Sequence, residues 1–220
     1  MVLHLPRPQA VIFDMDGLLL DSERIALAHF AQAAHDIGAP WSEEIGLRMV
    51  GLTPQDSDAM LCTTYGDDYP VDALRDRFGE LYEQAILNGI PLKPFVRELI
   101  ERLRLMEIPC AVATSTHRKR AEAKLARSQL LANFKALACG DEVIRGKPAP
   151  DIFEVAAARL GVAPNTCLAL EDSNAGVRAA ISANMTVVMV PDMLRPDPDI
   201  RRYGVACVES LKDVLVALSN

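Results

Sequence analysis

Two aspartates follow the first strongly apolar run of the chain. The run at residues 11–13 is typical of a strand buried on both faces of a parallel sheet, and it stops at Asp14. Because side chains alternate along an extended chain, Asp14 and Asp16 leave the backbone on the same side, and Gly17 permits a sharp turn directly afterwards. This arrangement suits a metal-assisted nucleophile with a carboxylic acid beside it. A plain turn at a strand end explains the motif equally well, since Asp and Gly are common turn residues.

Hydroxyl groups and a lysine follow later apolar runs. Thr114, Ser115 and Thr116 stand before a charged helical segment, where side-chain hydroxyls and free backbone N–H groups form a natural anion-binding site. A helix N-cap made by Thr116 explains the same residues without a ligand. Lys147 is followed by Pro148, which restricts the backbone and can aim the lysine at one place, although a lone lysine in such a loop is usually solvated.

A second acidic pair, Glu171 and Asp172, ends another apolar run. If the two acidic pairs of the chain converge, they repel each other strongly unless a cation lies between them. Carboxylate oxygens are ligands for hard divalent ions, and Mg²⁺ fits best. The pattern therefore predicts a magnesium site.

These residues stand at the ends of expected strands, and the elements around them predict the fold. Helices and strands alternate from residue 94 onward, which indicates an α/β fold with a doubly wound, Rossmann-like parallel sheet. In such sheets ligands bind beyond the carboxyl ends of the strands. The helices are expected at 95–106, 118–130, 151–160 and 175–184, and the strands after the first at 108–114, 136–139, 166–170 and 186–190.

The stretch at 18–90 contains helical patterns and no convincing strand, so we expect an inserted helical cap domain there. Residues 1–17 and 91–220 then form the catalytic core. The segment at 191–198 is interpreted as a proline-rich surface loop.

Composition excludes several classes of partner. The formal charge of −7 argues against binding to nucleic acid or to an anionic membrane, and no apolar run approaches membrane-spanning length. The start of the chain lacks the apolar core of a signal peptide, so we expect a cytoplasmic protein, and a monomer. An odd number of widely spaced cysteines fits a reducing compartment: Cys62, Cys110, Cys139, Cys167 and Cys207.

The motifs together resemble a known family. In order and spacing they are similar to the four motifs of the haloacid dehalogenase superfamily of phosphohydrolases, and the helical insert after the first motif resembles the branch with a cap at that place. That branch includes β-phosphoglucomutase and many sugar-phosphate and nucleotide phosphatases. Several segments look similar to the pseudouridine 5′-phosphatase and 2-deoxyglucose-6-phosphate phosphatase type. The residues that carry the resemblance are Asp14, Asp16, Gly17, Asp21, Ser22, Thr114, Lys147, Pro148, Glu171 and Asp172.

The resemblance implies a two-step phosphoryl transfer. Asp14 attacks phosphorus and forms an aspartyl-phosphate, while Asp16 donates a proton to the leaving oxygen and later takes one from water. Thr114 and the N–H of Ser115 hold phosphoryl oxygens, and Lys147 neutralises the charge shared by Asp14 and the phosphate.

The remaining implied contacts concern the metal and the substrate. Mg²⁺ is held by the Asp14 carboxylate, the Asp16 main-chain carbonyl and Asp172, with Glu171 a direct or water-mediated ligand. Gly17 and Thr116 complete the phosphate-binding set. The cap supplies substrate specificity, and in its turn at 48–56 the candidates for substrate contact are Arg48, Gly51 and Thr53. A polar turn between helices accounts for these last three equally well.

Three functions remain open at this point. The first is a Mg²⁺-dependent phosphatase of small phosphorylated metabolites, either sugar phosphates or nucleoside monophosphates. The second is a hexose phosphate mutase, which is disfavoured because Ala26 stands where β-phosphoglucomutase has a cap histidine. The third is a non-catalytic metabolite-binding protein, which would be expected to have a damaged motif. A dehalogenase is disfavoured because Asp16, which serves phosphoryl transfer, is present.

Overall fold

The computed structural model describes residues 3, 5–52 and 54–219, and within them six parallel strands form one sheet. The order across the sheet is β3-β2-β1-β4-β5-β6. Because the order reverses between β1 and β4, the carboxyl ends of these two strands flank the crevice in which such sheets bind ligands. The strands are β1 (Ala10–Phe13), β2 (Cys110–Thr114), β3 (Ala136–Cys139), β4 (Cys167–Glu171), β5 (Thr186–Met189) and β6 (Ala206–Cys207).

The described residues fall into two compact units. The sheet unit contains the chain up to Asp21 and from Pro91 onward, and the helical unit is Ser22–Ile90. Four helices form the helical unit: α1 (Ser22–Asp36), α2 (Glu43–Met49), α3 (Pro54–Tyr65) and α4 (Val71–Asn88). The helices of the sheet unit are α5 (Val96–Leu105), α6 (Arg118–Arg127), α7 (Asp151–Leu160), α8 (Asn174–Ser182), α9 (Pro198–Arg202) and α10 (Leu211–Ala217).

The centre of the sheet is apolar on both faces. All four residues of β1 are fully buried, and Phe13 pairs in register with Val112 of β2 and with Leu170 of β4. Each large apolar side chain buried here stabilises the fold by roughly 1.5–3 kcal/mol. Several small side chains in the same core allow the helices to approach the sheet closely: Ala111, Ala113, Ala138, Ala156, Ala157 and Ala169. The expected Rossmann-like α/β fold is confirmed.

Residues 18–21 lie in the sheet unit, although the sequence patterns place them in the insert. Leu20 forms a β-bridge with Leu92, and the N–H of Lys93 donates to the carbonyl of Leu19 at 3.0 Å. The two chain segments that lead to the helical unit are therefore tied to each other within the sheet unit.

The helical unit has its own apolar core. Phe30 stacks on Phe78 with ring centroids 3.7 Å apart and on Trp41 at 5.9 Å. Buried aliphatic residues complete this core: Ala33, Ala34, Ile45, Met49, Leu61 and Leu74. None of the helices in the described ranges has the length and apolarity needed to cross a bilayer.

The end of the chain contains elements that the sequence patterns did not predict. The predicted loop at 191–198 is confirmed up to Asp197, and α9, which the patterns do not predict, begins at Pro198. Arg178 donates to Asp197 and Asp199 and so holds the start of this helix. Strand β6 has only two residues, too few for a recognisable alternation.

Candidate active site

Three charged side chains meet beyond the carboxyl ends of β1 and β4. The Nζ of Lys147 donates to Asp14 Oδ1 and to Glu171 Oε1, both at 2.5 Å, and to the carbonyl of Ala113 at 3.1 Å. The side chains of Lys147 and Asp14 are 7% and 8% exposed, and that of Glu171 is completely buried. A solvated loop lysine is thereby excluded for Lys147.

The burial and the charges of this cluster shift the pKa values of its members. Burial raises the pKa of Asp14 to about 8, Lys147 opposes the rise, and the charges of Glu171 and Asp16 add to it. Burial alone would lower the pKa of Lys147, but the two carboxylates beside it raise that pKa above its ordinary value. The single ammonium group of Lys147 therefore does not fully offset burial and the neighbouring carboxylates, and the negative charge of Asp14 is disfavoured.

Glu171 is held by the two residues that precede α8 as well as by Lys147. Its Oε2 accepts from the N–H groups of Asp172 and Ser173 and from the hydroxyl of Ser173, each at 3.0 Å. The carboxylate lies so close to the helix that a Cβ on Gly176 would stand 1.7 Å from Oε1. Glu171 therefore fixes Lys147, and both of its oxygens already accept hydrogen bonds.

Asp172 approaches the turn after the first acidic pair. A Cβ on Gly17 would stand 2.2 Å from Asp172 Oδ2, and Gly17 has a φ of 87°, in the region that favours glycine. The first and fourth motifs are thus in contact at Gly17. In the part of the chain that the structure describes, however, no group of three or more His, Cys, Asp or Glu side chains is arranged to hold a metal ion.

Asp16 is held by the segment that follows β2. Its Oδ2 accepts from the hydroxyl of Thr116 at 2.7 Å and from that of Thr114 at 3.5 Å. Its Oδ1 accepts from Nζ of Lys124 at 2.7 Å. Sequence reasoning missed Lys124, although a signal exists, because Lys124 lies between Ala121 and Leu125 on the inward face of α6.

The backbone between β2 and α6 is fixed by a hydrogen bond within the segment and by a contact with the loop after β3. The N–H of Thr116 donates to the hydroxyl of Thr114 at 3.1 Å. Gly140, which follows β3, donates to the carbonyl of Thr116 at 3.1 Å, and a Cβ on it would stand 2.1 Å from the carbonyl oxygen of Ser115. Ser115 itself is exposed. This loop is therefore fixed, with its middle residue open to solvent.

The remaining candidates belong to the helical unit. Arg48 lies in the last turn of α2 and is exposed, and Gly51 follows in the turn after it with a φ of 79°. Thr53 lies outside the described residues. The structure thus brings together the candidates of the sheet unit, and it describes Arg48 and Gly51 as parts of a separate unit.

The sequence and the fold are similar to those of known proteins. Residues 11–190 match the family model described as haloacid dehalogenase-like hydrolase. The chain is 32% identical to the phosphorylated carbohydrates phosphatase of Thermotoga maritima, over 80% of this chain and 82% of that protein. It is 30% identical to the beta-phosphoglucomutase of Bacillus subtilis, over 93% and 94% of the two chains. The crystal structure of CbbY from Rhodobacter sphaeroides in complex with phosphate superposes with a TM-score of 0.79 at 26% identity, and the match covers 97% of this chain and 100% of that one.

Proposed function

The chain belongs to the haloacid dehalogenase-like hydrolase family, and from this premise we propose that it is a Mg²⁺-dependent phosphatase that works through an aspartyl-phosphate on Asp14. At the coarser level the chain is a phosphatase of small phosphorylated metabolites, and it is similar to the phosphorylated carbohydrates phosphatase of Thermotoga maritima. The observation that carries the proposal is the buried Asp14 carboxylate, which Lys147 holds at the carboxyl end of β1 while Asp16 stands two residues away.

In the first step an oxygen of Asp14 attacks phosphorus. A bond forms between that oxygen and phosphorus, the bond from phosphorus to the leaving oxygen breaks, and Asp16 gives its proton to the leaving oxygen. Lys147 offsets the negative charge that gathers on Asp14 and the phosphoryl group. The burial of this cluster supports the role, because ionic interactions are stronger where water is excluded.

In the second step water attacks the aspartyl-phosphate. The new bond joins the water oxygen to phosphorus, the bond to Asp14 breaks, and Asp16 takes the proton from the water. Inorganic phosphate leaves, and both aspartates return to their initial protonation states. One residue thus serves as acid and then as base, which divides a difficult displacement into two easier ones.

The loop after β2 is proposed to hold the phosphoryl oxygens. The hydroxyl of Thr114 and the N–H of Ser115 stand at the carboxyl end of the strand next to β1, and the fixed backbone of this loop supports the assignment. Thr116 is placed differently, because its hydroxyl donates to Asp16. We therefore assign Thr116 chiefly to holding Asp16.

The donor set of the sheet unit fits Mg²⁺. Burial, with the charges of Glu171 and Asp16 added to it, raises the pKa of Asp14, and a cation would offset this rise. The contact of Asp172 with Gly17 brings a second carboxylate to the same turn. We propose that the carboxylates of Asp14 and Asp172 and the carbonyl of Asp16 hold the ion, a number of ligands that suits Mg²⁺ because it retains several waters. Since both oxygens of Glu171 already accept hydrogen bonds, Glu171 acts at most through water. When bound, Mg²⁺ stabilises negative charge on the phosphoryl oxygens.

The helical unit is proposed to select the substrate. Arg48, Gly51 and Thr53 are the candidates for contact with the group that carries the phosphate. The mutase remains a second candidate, because the similarity to beta-phosphoglucomutase extends over 93% of this chain. Ala26, at the position of the mutase histidine, favours the phosphatase.

A phosphate-release screen tests the proposal. Sugar phosphates and nucleoside monophosphates are incubated with the chain with and without Mg²⁺, and Asp14→Asn serves as the blank. We expect release that requires both Mg²⁺ and Asp14. Isomer formation without free phosphate would favour the mutase, and no turnover of any compound would favour the binding protein.

A further inference from the structure

Lys124 is a buried lysine that the proposed two-step reaction does not use. It lies on α6 and is 3% exposed, although lysine is rarely buried this completely without a partner. Its Nζ lies 2.7 Å from Oδ1 of Asp16. The nearby Lys119 on the same helix is exposed, as expected for a surface helix of this sheet.

The direction of the helix explains how Lys124 reaches the site. Side chains on an α-helix lean toward its N-terminus, and α6 begins at Arg118, directly after the loop that carries Thr114 and Thr116. The long stem of Lys124 therefore runs back toward this loop, and its ammonium group reaches Asp16.

The two oxygens of Asp16 are consequently held by different donors of one segment. Lys124 donates to Oδ1, and Thr116 donates to Oδ2, each at 2.7 Å. Two donors on opposite oxygens fix the plane of a carboxylate, whereas one donor leaves it free to rotate. Proton transfer depends on such orientation, because the carboxylate must point at the oxygen that it serves.

We propose that Lys124 is a positioning residue for Asp16, which it holds in the orientation for proton transfer to the leaving oxygen. The inference rests on the proposed function. It adds that the reaction also requires Lys124, a side chain that lies on a helix rather than at a strand end. Lys124 acts through Asp16 and is assigned no contact with substrate.

The experiment compares two phosphate esters that differ in their leaving group. p-Nitrophenyl phosphate has a weakly basic leaving group that departs without a proton, whereas phenyl phosphate depends more on the acid. In Lys124→Met we expect kcat/KM to fall by about 10–100-fold for phenyl phosphate and by far less for p-nitrophenyl phosphate. Lys119→Met is the matched control, and we expect both substrates to keep their native rates.

A double variant separates positioning from a general loss of structure. Asp16→Asn should show the same dependence on the leaving group, and adding Lys124→Met to it should cause no further loss for phenyl phosphate, because the residue to be positioned is gone. A purely structural role predicts equal losses for the two esters and losses that add in the double variant. Either result would overturn the inference while the proposed function stands.

The comparison of esters also covers a variant that does not fold and a native chain without activity. If Lys124→Met does not fold, Lys124→Gln takes its place, since it keeps a polar but uncharged group on a stem one bond shorter, and the same comparison of esters applies. If the native chain hydrolyses neither ester nor any metabolite of the screen, the proposed function fails and the inference fails with it.

Discussion

The sheet unit and the helical unit bury different kinds of side chain. Among the described residues, the sheet unit buries charged side chains, including those of Asp14, Lys124, Lys147 and Glu171, whereas the buried polar residues of the helical unit are the uncharged Ser22 and Ser57. Buried charge costs several kcal/mol per ion unless it is well paired. The sheet unit therefore retains an arrangement that is expensive for stability, and the helical unit is stabilised by apolar contacts.

This difference indicates what substitutions should do. In the sheet unit, a change that relieves unfavourable charge should stabilise the fold and remove activity. In the helical unit, the aromatic stack around Phe30 carries no charge, so a change there should alter stability without such a trade-off.

Asp14→Asn should have the largest effect. We expect phosphate release to fall by about 10⁴-fold or more, because the nucleophile is removed. Burial raises the pKa of Asp14 from 3.8 to about 8, so its contribution to stability is present at low pH and is lost as the pH rises from 3.8 toward 8. At pH 7 without divalent ions, the variant should therefore be more stable, by an amount on the order of 1 kcal/mol.

Urea unfolding in the presence of EDTA measures this gain. Asp67→Asn, at an exposed residue of the helical unit, is the control and should leave the free energy of unfolding unchanged. Adding Mg²⁺ should stabilise the native chain more than it stabilises the Asp14→Asn variant, because only the native chain has the Asp14 charge that the ion relieves. A variant less stable than the native chain at pH 7 would contradict the contrast between the units.

Lys147→Met should have the next largest effect on activity. The variant loses the cation that joins Asp14 to Glu171, and we expect kcat to fall by about 10²–10³-fold. It should also destabilise the fold by about 3 kcal/mol, since it leaves buried carboxylates uncompensated. Arg145→Met, two residues earlier and 67% exposed, is the control for the loop. Equal losses in the two variants would mean that the loop as a whole matters and the buried ammonium does not.

The grouping of the candidate residues of the sheet unit can be derived from the sequence because the motifs coincide with strand ends. Apolar runs mark β1, β2 and β4, and parallel strands carry their carboxyl ends to one edge of the sheet. The contact of Lys124 with Asp16 could not be predicted in the same way, because it depends on the phase of α6 and on the reach of a long side chain. A lysine within an otherwise apolar helical stripe is the signal to look for.

Other elements were missed for different reasons. α10 has a capping box of Ser210 and Asp213, which is a recognisable start signal. β6 is defined by its pairing with β5 and has no pattern of its own. In the helical unit, the pattern gives the helices, but it does not give the direction of Arg48 or the conformation of the turn after it. Substrate choice depends on those loop details and therefore cannot be derived from periodicity.

One glycine within a helix of each unit allows a direct comparison of how tightly the two units are packed. A Cβ on Gly176 of α8 would stand 1.7 Å from a buried oxygen of Glu171, whereas a Cβ on Gly79 of α4 would meet nothing within 4 Å. Gly176→Ala should destabilise the fold by about 2 kcal/mol and lower kcat, because Glu171 holds Lys147. Gly79→Ala should stabilise it by about 0.5–1 kcal/mol, since alanine is the better helix former. Thermal unfolding and phosphate release measure both, and a stabilising Gly176→Ala would mean that Glu171 moves without cost.

The smallest expected difference between the units is in how their free energy of unfolding changes at acid pH. Glu142 in the sheet unit accepts from Arg159 at 2.8 Å and from Arg118 at 2.7 Å, and these bonds lower its pKa from 4.5 to about 2. A lowered pKa gives stability that is present above pH 4.5 and is lost as the pH falls toward 2. Glu142→Gln should therefore lower stability at neutral pH by about 1–2 kcal/mol and flatten its decline between these pH values. Asp36→Asn is the matched control in the helical unit, because the two carboxylates are about equally exposed, at 24% and 22%, but Asp36 accepts from the neutral Gln32 and from a single guanidinium group, that of Arg77. An equally large effect of Asp36→Asn on the loss of stability at acid pH would show that paired charges contribute equally to the stability of the two units.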